Sequence, residues 1–316
     1  MPLNLFFLKT FNNIKEYNNK KSVVTIGTFD GVHIGHKKIL ERIIFNAKEL
    51  NCESVVLTFF PHPRMVLQDN SVVQLLNTVD EKTILLEKTG IDNLIIHPFN
   101  QEFSRLTAEE FVKEILVNQL NIRKIIIGYD HRFGRNRTAD INDLIVFGKE
   151  YGFEVEQISA QEINDNAVSS TKIRNAILEG NITLANNYLG YNYFFSGIVV
   201  KGKQLGRTIG FPTANIKIKE DYKLIPKNGV YIVKSNYDKK TIFGLMNIGT
   251  RPTVDGTNQT IEVFFLDFDK TIYDETLTIE IIEFIRDEQK FDSLNDLKNQ
   301  INGDKIFALN YINTHF

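Results

Sequence analysis

The chain has 316 residues, 42% hydrophobic and 24% charged, with 37 Lys and Arg against 39 Asp and Glu for a formal net charge of -2. That length suggests two domains or one large one, and the charge balance excludes a global basic field that would draw the chain to nucleic acid or to an anionic membrane. Its one cysteine, Cys52, excludes an internal disulfide and a cysteine-rich metal site. No apolar run reaches the length of a bilayer span, and Leu3 to Leu8 is too short for a signal core.

In chain order, Val23–Ile26 reads as a strand and His36–Leu50 as a helix. The alternation continues with strand Ser54–Phe59, helix Asp80–Thr89, strand Asn93–Ile96 and helix Ala108–Gln119. Strand Lys124–Ile127, helix Ile141–Tyr151 and strand Glu154–Ile158 complete it. These strands are β-branched and almost continuously apolar, which predicts a doubly wound α/β parallel sheet with helices on both faces. Ligands of such sheets bind outside the carboxyl ends of the strands. A helix over Ser170–Leu178 stops at Glu179-Gly180. Beyond Tyr191 the pattern turns to short strands: Phe194–Val200, Val230–Ser235, Ile242–Asn247, Ile261–Phe268 and Thr276–Phe284. Strands without intervening helices predict a small β-barrel or sandwich. Two amphipathic helices, Ser293–Ile301 and Asp304–Ile312, close the chain, and the expected domains are 1–186 and 187–316.

The first chemistry-bearing stretch is TIGTFDGVHIGH, Thr25 to His36. It reads strand, glycine turn, helix start. Free N–H groups and the helix dipole at that point favour an anion. His33 and His36 lack the further ligands a zinc site needs, so the position favours a polyphosphate over a metal. Three more segments follow strands and belong on the same rim: FFPHPR around Phe60 and His62, GYDHRFGRNR around Asp130 and Phe133, and SSTKIR from Ser169 to Arg174. Together these motifs resemble the nucleotidylyltransferase superfamily, and specifically the FMN adenylyltransferase module of bacterial riboflavin biosynthesis. The resemblance implies in-line attack of the FMN phosphate on the α-phosphorus of ATP. His33 and His36 would hold the phosphates, Ser169, Ser170, Thr171 and Arg174 would grip their far end, and Gly27, Thr28, Phe29 and Asp30 would line the nucleotide pocket. Phe60, His62, Asp130 and Phe133 would face the flavin.

The second stretch runs from Ser196 to Asn215, with Gly197, Gly202, Gly206 and Gly210 beside Lys203 and Arg207. It matches neither the P-loop nor the dinucleotide fingerprint, but a glycine-rich loop with cations can wrap a triphosphate through its N–H groups. Thr213 and Asn215, two apart on an extended segment, point to one side and suit two oxygen ligands of Mg²⁺. Glu262 shares a strand face with Phe264 and Leu266; from geometry alone it is either a glutamate near a strand end that reaches water or a buried carboxylate whose pKa burial would raise towards the range of a general base.

GRTIGFPTAN, MNIGTRPT and IEVFFLDF resemble the riboflavin kinase module. By that resemblance Thr213 and Asn215 coordinate Mg²⁺ with ATP, and Glu262 takes the proton of the ribityl 5′-hydroxyl. Arg251 and Arg286 lie near phosphate or flavin, and Gly229, Val230 and Tyr231 beside the ring. One position departs: the family often has a polar residue, commonly histidine, where this chain has Phe264. The resemblance implies a bifunctional riboflavin kinase/FAD synthetase using ATP and Mg²⁺, with riboflavin, FMN and FAD as substrates and products. It also implies a cytoplasmic monomer or weak oligomer without nucleic-acid or membrane partners. The competing expectations are a kinase with a degenerate first domain and a flavin-sensing binding protein.

Overall fold

The computed structural model describes residues 7–18, 20–67, 73–129, 131–159, 168–202, 205–253 and 256–316. The chain divides into two compact units, Met1–Ser170 and Thr171–Phe316.

In the first unit, six parallel strands form one sheet: β1 (Lys9–Phe11), β2 (Ser22–Ile26), β3 (Glu53–Phe59), β4 (Asn93–His97), β5 (Ile122–Gly128) and β6 (Glu154–Ile158). Their order is β1-β4-β3-β2-β5-β6. The chain moves outward from β2 through β3 to β4, then returns to place β5 on β2's other side. The topological switch therefore lies between β2 and β5, where such a sheet opens a crevice for ligands. All five residues of β2 are buried, which explains why Val23, Val24 and Ile26 dominate it, with Ser22 and Thr25 as its buried polar members. Edge strand β1 was not expected, because KTF offers one apolar residue and too few positions to show a period. Helix α1 (Ile34–Glu49) begins two residues before the expected start, since His33 is its N-cap. The helix expected over Ala108–Gln119 opens with a Thr107/Glu110 capping box and continues from Phe111 as a π-helix.

The second unit holds a closed antiparallel barrel of β7 (Phe194–Val200), β8 (Ala214–Lys217), β9 (Gly229–Tyr237), β10 (Lys240–Thr253), β11 (Gly256–Phe265) and β12 (Thr276–Arg286). Its order is β10-β11-β8-β7-β12-β9, with β9 pairing β10 to close it. Tyr231, Met246 and Val263 share one rung and are fully buried, as are Val233 and Ile281. They fill the inside, as a small barrel requires. The outer face carries Val230, Ile232, Leu245 and Ile282, packed against Ala308 of the C-terminal helix. That helix is one element, Leu294–His315, not two. Gly303, which suggested a break, has open space around it, and neighbouring Asp304 is buried. Strand β11 stops at Phe265, ahead of a turn with Asp267 at φ +52°. An unexpected helix, Ile182–Leu189, precedes the barrel. Among the described residues no helix is long and apolar enough to cross a membrane.

Candidate active sites

The first site is built at the carboxyl end of β2. Gly27 leaves the strand by donating its N–H to the Leu57 carbonyl of β3. The chain then turns sharply: Phe29 has φ +46° and Val32 φ +35°, closed by a Val32 N–H to Phe29 carbonyl bond of 3.2 Å. A β-branched residue in the left-handed region is strained, and such strain persists only where the surroundings hold it. Here they do. The buried Asp30 carboxylate accepts from the amides of Leu76 (2.9 Å) and Asn77 (3.4 Å). The Asp30 carbonyl accepts from Ser170 Oγ at 2.9 Å, and the Thr28 carbonyl from Thr58 Oγ1 and from Lys82 Nζ at 2.6 Å.

The turn delivers two histidines to the first turn of α1. Their rings stack with centroids 3.6 Å apart and planes 17° from parallel. His33 Nδ1 accepts the His36 backbone N–H, and the His36 Nδ1 is buried without a hydrogen-bond partner. Burial pushes His33 down to about 4. His36 is driven well below its ordinary value by burial first, then by the charges of His33 and Lys82. Stacked rings send their lone pairs along parallel planes, which suits a chain of phosphates better than one metal centre. Among the described residues, no group of three or more His, Cys, Asp and Glu is placed to hold a metal ion.

Other expected residues are placed less uniformly. Ser170 opens the helix Ser170–Glu179, preceded by Ser169, with Thr171 exposed and Arg174 half-buried one turn on. Phe60 and His62 follow β3, half-buried, with His62 Nδ1 accepting from the Arg64 N–H. Asp130 lies outside the described residues. Phe133 is a core residue: it is 7% exposed, belongs to the main apolar cluster and packs 6.0 Å from Phe111.

The second site lies on the outer face of the barrel. Direct cross-strand pairing lines up Asn215 (β8), Glu262 (β11), Asn247 (β10), Val230 (β9) and Arg286 (β12) in one rung. Thr213 Oγ1 donates to Glu262 Oε2 at 3.3 Å. Gly202 lies against the Asn215 amide: a Cβ there would stand 2.2 Å from Nδ2 and 2.8 Å from Oδ1. Gly206 is pressed against the Phe211 carbonyl in the same way, and Arg207 is exposed. Gly197 instead serves the barrel wall, where a Cβ would meet Ile216 and the Lys217 carbonyl.

Glu262 is half-buried and hydrogen-bonded, not enclosed among apolar side chains, because its face of β11 is open at that rung. Phe264, at the position that departs from the family, packs edge-on against Phe211 at 5.3 Å and so braces the segment that leads to Thr213. Tyr231 points into the barrel, its hydroxyl bonded to the Lys227 carbonyl and its pKa raised mainly by burial. Gly229 (φ +154°) lets Phe284 and the Arg286 carbonyl approach its backbone. Arg286 is gripped by Asp304, with Nη2 to Oδ2 at 2.8 Å and Nε to Oδ1 at 3.0 Å. Arg251 sits on β10 opposite Asn258, its side chain outside the described part, and Lys203 also lies outside the described residues.

Sequence reasoning missed Lys82 and Asn247. Lys82 precedes Leu85 and Leu86 by three and four residues, so it shares their buried helix face, and that spacing was its signal. Asn247 needed the strand register.

A parallel-sheet unit with two stacked imidazoles at a helix start beside its switch point, followed by a closed barrel with a cluster of oxygen donors, fits the class of two-module transferases. A family model for FAD synthetase matches residues 15–172, and one for riboflavin kinase matches residues 189–312. The chain belongs to the bifunctional riboflavin kinase/FMN adenylyltransferase family. A protein of that name from Buchnera aphidicola subsp. Acyrthosiphon pisum is 38% identical over 311 residues, 98% of each chain. The Escherichia coli (strain K12) protein of that name is 35% identical over 302 residues, 95% of this chain and 96% of its own. A solved structure from Streptococcus pneumoniae, described as a macrolide-efflux protein, is 31% identical with a TM-score of 0.86, covering 96% of this chain and 99% of its own. Its description names a different activity from that of the sequence relatives.

Proposed function

We propose that this chain phosphorylates riboflavin to FMN with ATP in its second domain and adenylates FMN to FAD, releasing pyrophosphate, in its first. We assign residues 1–186 to adenylation and 187–316 to the kinase. Two separately built constellations in one chain carry this reading: the stacked His33–His36 pair at the sheet's switch point and the Thr213–Glu262 contact beside Asn215. The substrates are small molecules, and the setting is cytoplasmic.

In the kinase, the Glu262 carboxylate accepts the proton of the ribityl 5′-hydroxyl as that oxygen attacks the γ-phosphorus and ADP leaves. The hydroxyl of Thr213 and the amide oxygen of Asn215, hard donors beside a carboxylate, fit Mg²⁺ carried by ATP. When bound, the ion neutralises phosphate charge. Gly202 keeps the Asn215 amide in place, and Gly206 shapes the loop beside it. In the adenylyltransferase, an oxygen of the FMN phosphate attacks the α-phosphorus in line. His33, His36 and the amides at the start of α1 hold the phosphates, and catalysis is positioning plus charge neutralisation, with no covalent intermediate.

The test is product analysis with riboflavin, ATP and Mg²⁺ for wild type, Glu262→Ala and His36→Ala. Wild type should make FAD. Glu262→Ala should make nothing from riboflavin yet convert supplied FMN, and His36→Ala should stop at FMN. Wild type that stops at FMN would sink the adenylylation assignment.

A further inference from the structure

The adenylylation reading leaves a buried cation unused. Lys82 is 6% exposed, on the helix Val79–Glu87, whose start is fixed by a Thr78/Glu81 capping box. Its described hydrogen bond goes to the backbone carbonyl of Thr28 at 2.6 Å, not to a carboxylate. Burying an ammonium is costly, and a methionine or leucine would fill the same helix face without that cost. Burial lowers the Lys82 pKa, and the field of Asp30 opposes that shift.

We propose that Lys82 is a positioning residue for the adenylyl transfer: it fixes the phosphate-binding turn through Thr28 and holds its amino group behind the His33–His36 pair. The argument is geometric and rests on the adenylylation reading. Thr28 precedes the two residues held at positive φ, so its carbonyl is the last anchor before the strained turn. Thr58 and Lys82 grip that one oxygen from β3 and from the helix. The titratable and charged groups facing His36 are His33 on its own turn and Lys82 across the loop, with Asp30 beside Lys82. Stacked rings at 3.6 Å resist carrying two charges, and Lys82 opposes a first charge on His36. The pair then meets incoming phosphate as neutral imidazoles, while the lysine supplies the charge without moving.

The experiment compares wild type, Lys82→Met and Lys82→Arg. Wild type is first shown to make FAD from FMN, so a failure of the adenylylation reading is recognised by itself. Thermal unfolding followed by circular dichroism reports folding of the first domain, and riboflavin phosphorylation reports that the second is unaffected. Lys82→Met should lose roughly 10- to 100-fold in kcat/KM for FAD formation with FMN formation intact. The His36 ring titration, followed by NMR, should move to higher pH. Lys82→Arg keeps the charge and should leave that titration in place and recover activity to within a few-fold of wild type. A Lys82→Met protein with an unmoved His36 titration and FAD formation within twofold of wild type overturns the proposal. Where Lys82→Met does not fold, a folded Lys82→Arg with a 100-fold loss overturns it, and one with near-wild-type FAD formation and an unmoved titration supports it.

Discussion

On the proposed function, the two sites place oxygen and charge around ATP by opposite means. The first is buried and tied from several sides: Asp30, Thr28, Thr58, Lys82 and Ser170 brace a strained turn that presents two stacked imidazoles. The second is a rung of side chains on the open face of a barrel, beside which the Thr213 hydroxyl donates to Glu262. In the first, the protein's own backbone does the positioning. In the second, strand register does it, and a single side chain carries the proton. Loss of one chemical group should therefore hurt the second site most, while the first should respond most to changes in charge state.

The largest effect should come from Glu262→Gln, which keeps the shape and the Thr213 partner but removes the base. FMN formation should fall by about 10³-fold, with FAD formation from supplied FMN unchanged. Retention of more than a tenth of kinase kcat would show that proton transfer to Glu262 is not the demand on that site, and the contrast between the sites would weaken.

Next is Asp304→Ala. Arg286 ends the rung, and its guanidinium is held by a carboxylate on the C-terminal helix with side-chain exposures of 17% and 5%. Removing one partner of a buried pair strands the other charge, so urea unfolding should show the second domain weakened by about 3 kcal/mol. An unchanged midpoint would mean that helix docking rests on Ala308, Tyr311 and Ile312 alone.

Acid should distinguish the sites in the other direction. His33 titrates near 4 in the fold against an ordinary value of 6.5, because burial disfavours its charge. The unfolded chain binds the proton more readily, so this contribution to stability is complete above pH 6.5 and is lost as pH falls towards 4. By pH 5 the first domain should be weaker by about 2 kcal/mol from this residue. His33→Gln should flatten that slope in thermal unfolding, and a slope that survives the substitution would assign it elsewhere. Bound polyphosphate favours the imidazolium, so ATP should reduce the loss.

Much of this was legible in the sequence. The βαβ series showed because buried parallel strands are nearly continuous apolar runs, and GVHIGH stood out because it sets two histidines at a helix start directly after a buried strand, where His33 proves to be the N-cap. What stayed hidden depends on tertiary packing. Lys82 shares the spacing of Leu85 and Leu86, but its partner, the Thr28 carbonyl 54 residues earlier, shows only in the fold. Phe133 sits in a motif-rich loop yet packs into the core. Arg286 reads as a free cation until Asp304, 18 residues on, turns back to meet it. Strand β8 is four residues of mixed polarity and gains its role only by pairing with β7 and β11. Two helices expected at the C-terminus are one because a mid-helix glycine costs only about 1 kcal/mol, which packing overrides.

The smallest effect is the most local. Gly202→Ala adds one methyl group, and its nearest neighbours are atoms of the Asn215 amide, at 2.2 to 2.8 Å. No side chain fits at such a distance, so something must shift, and the mobile party is the amide rather than the strand that carries it. Thr213 and Glu262 are untouched, so the proton acceptor survives while one oxygen donor is turned aside. The expected result is about a tenfold higher KM for MgATP in the kinase, roughly one hydrogen-bond-sized contribution, with kcat within threefold. Pairing it with Asn215→Ala sharpens the point. If Gly202 acts through that amide, the double variant should be no worse than Asn215→Ala alone. Additive losses would place the role of Gly202 in its own backbone against the phosphates instead.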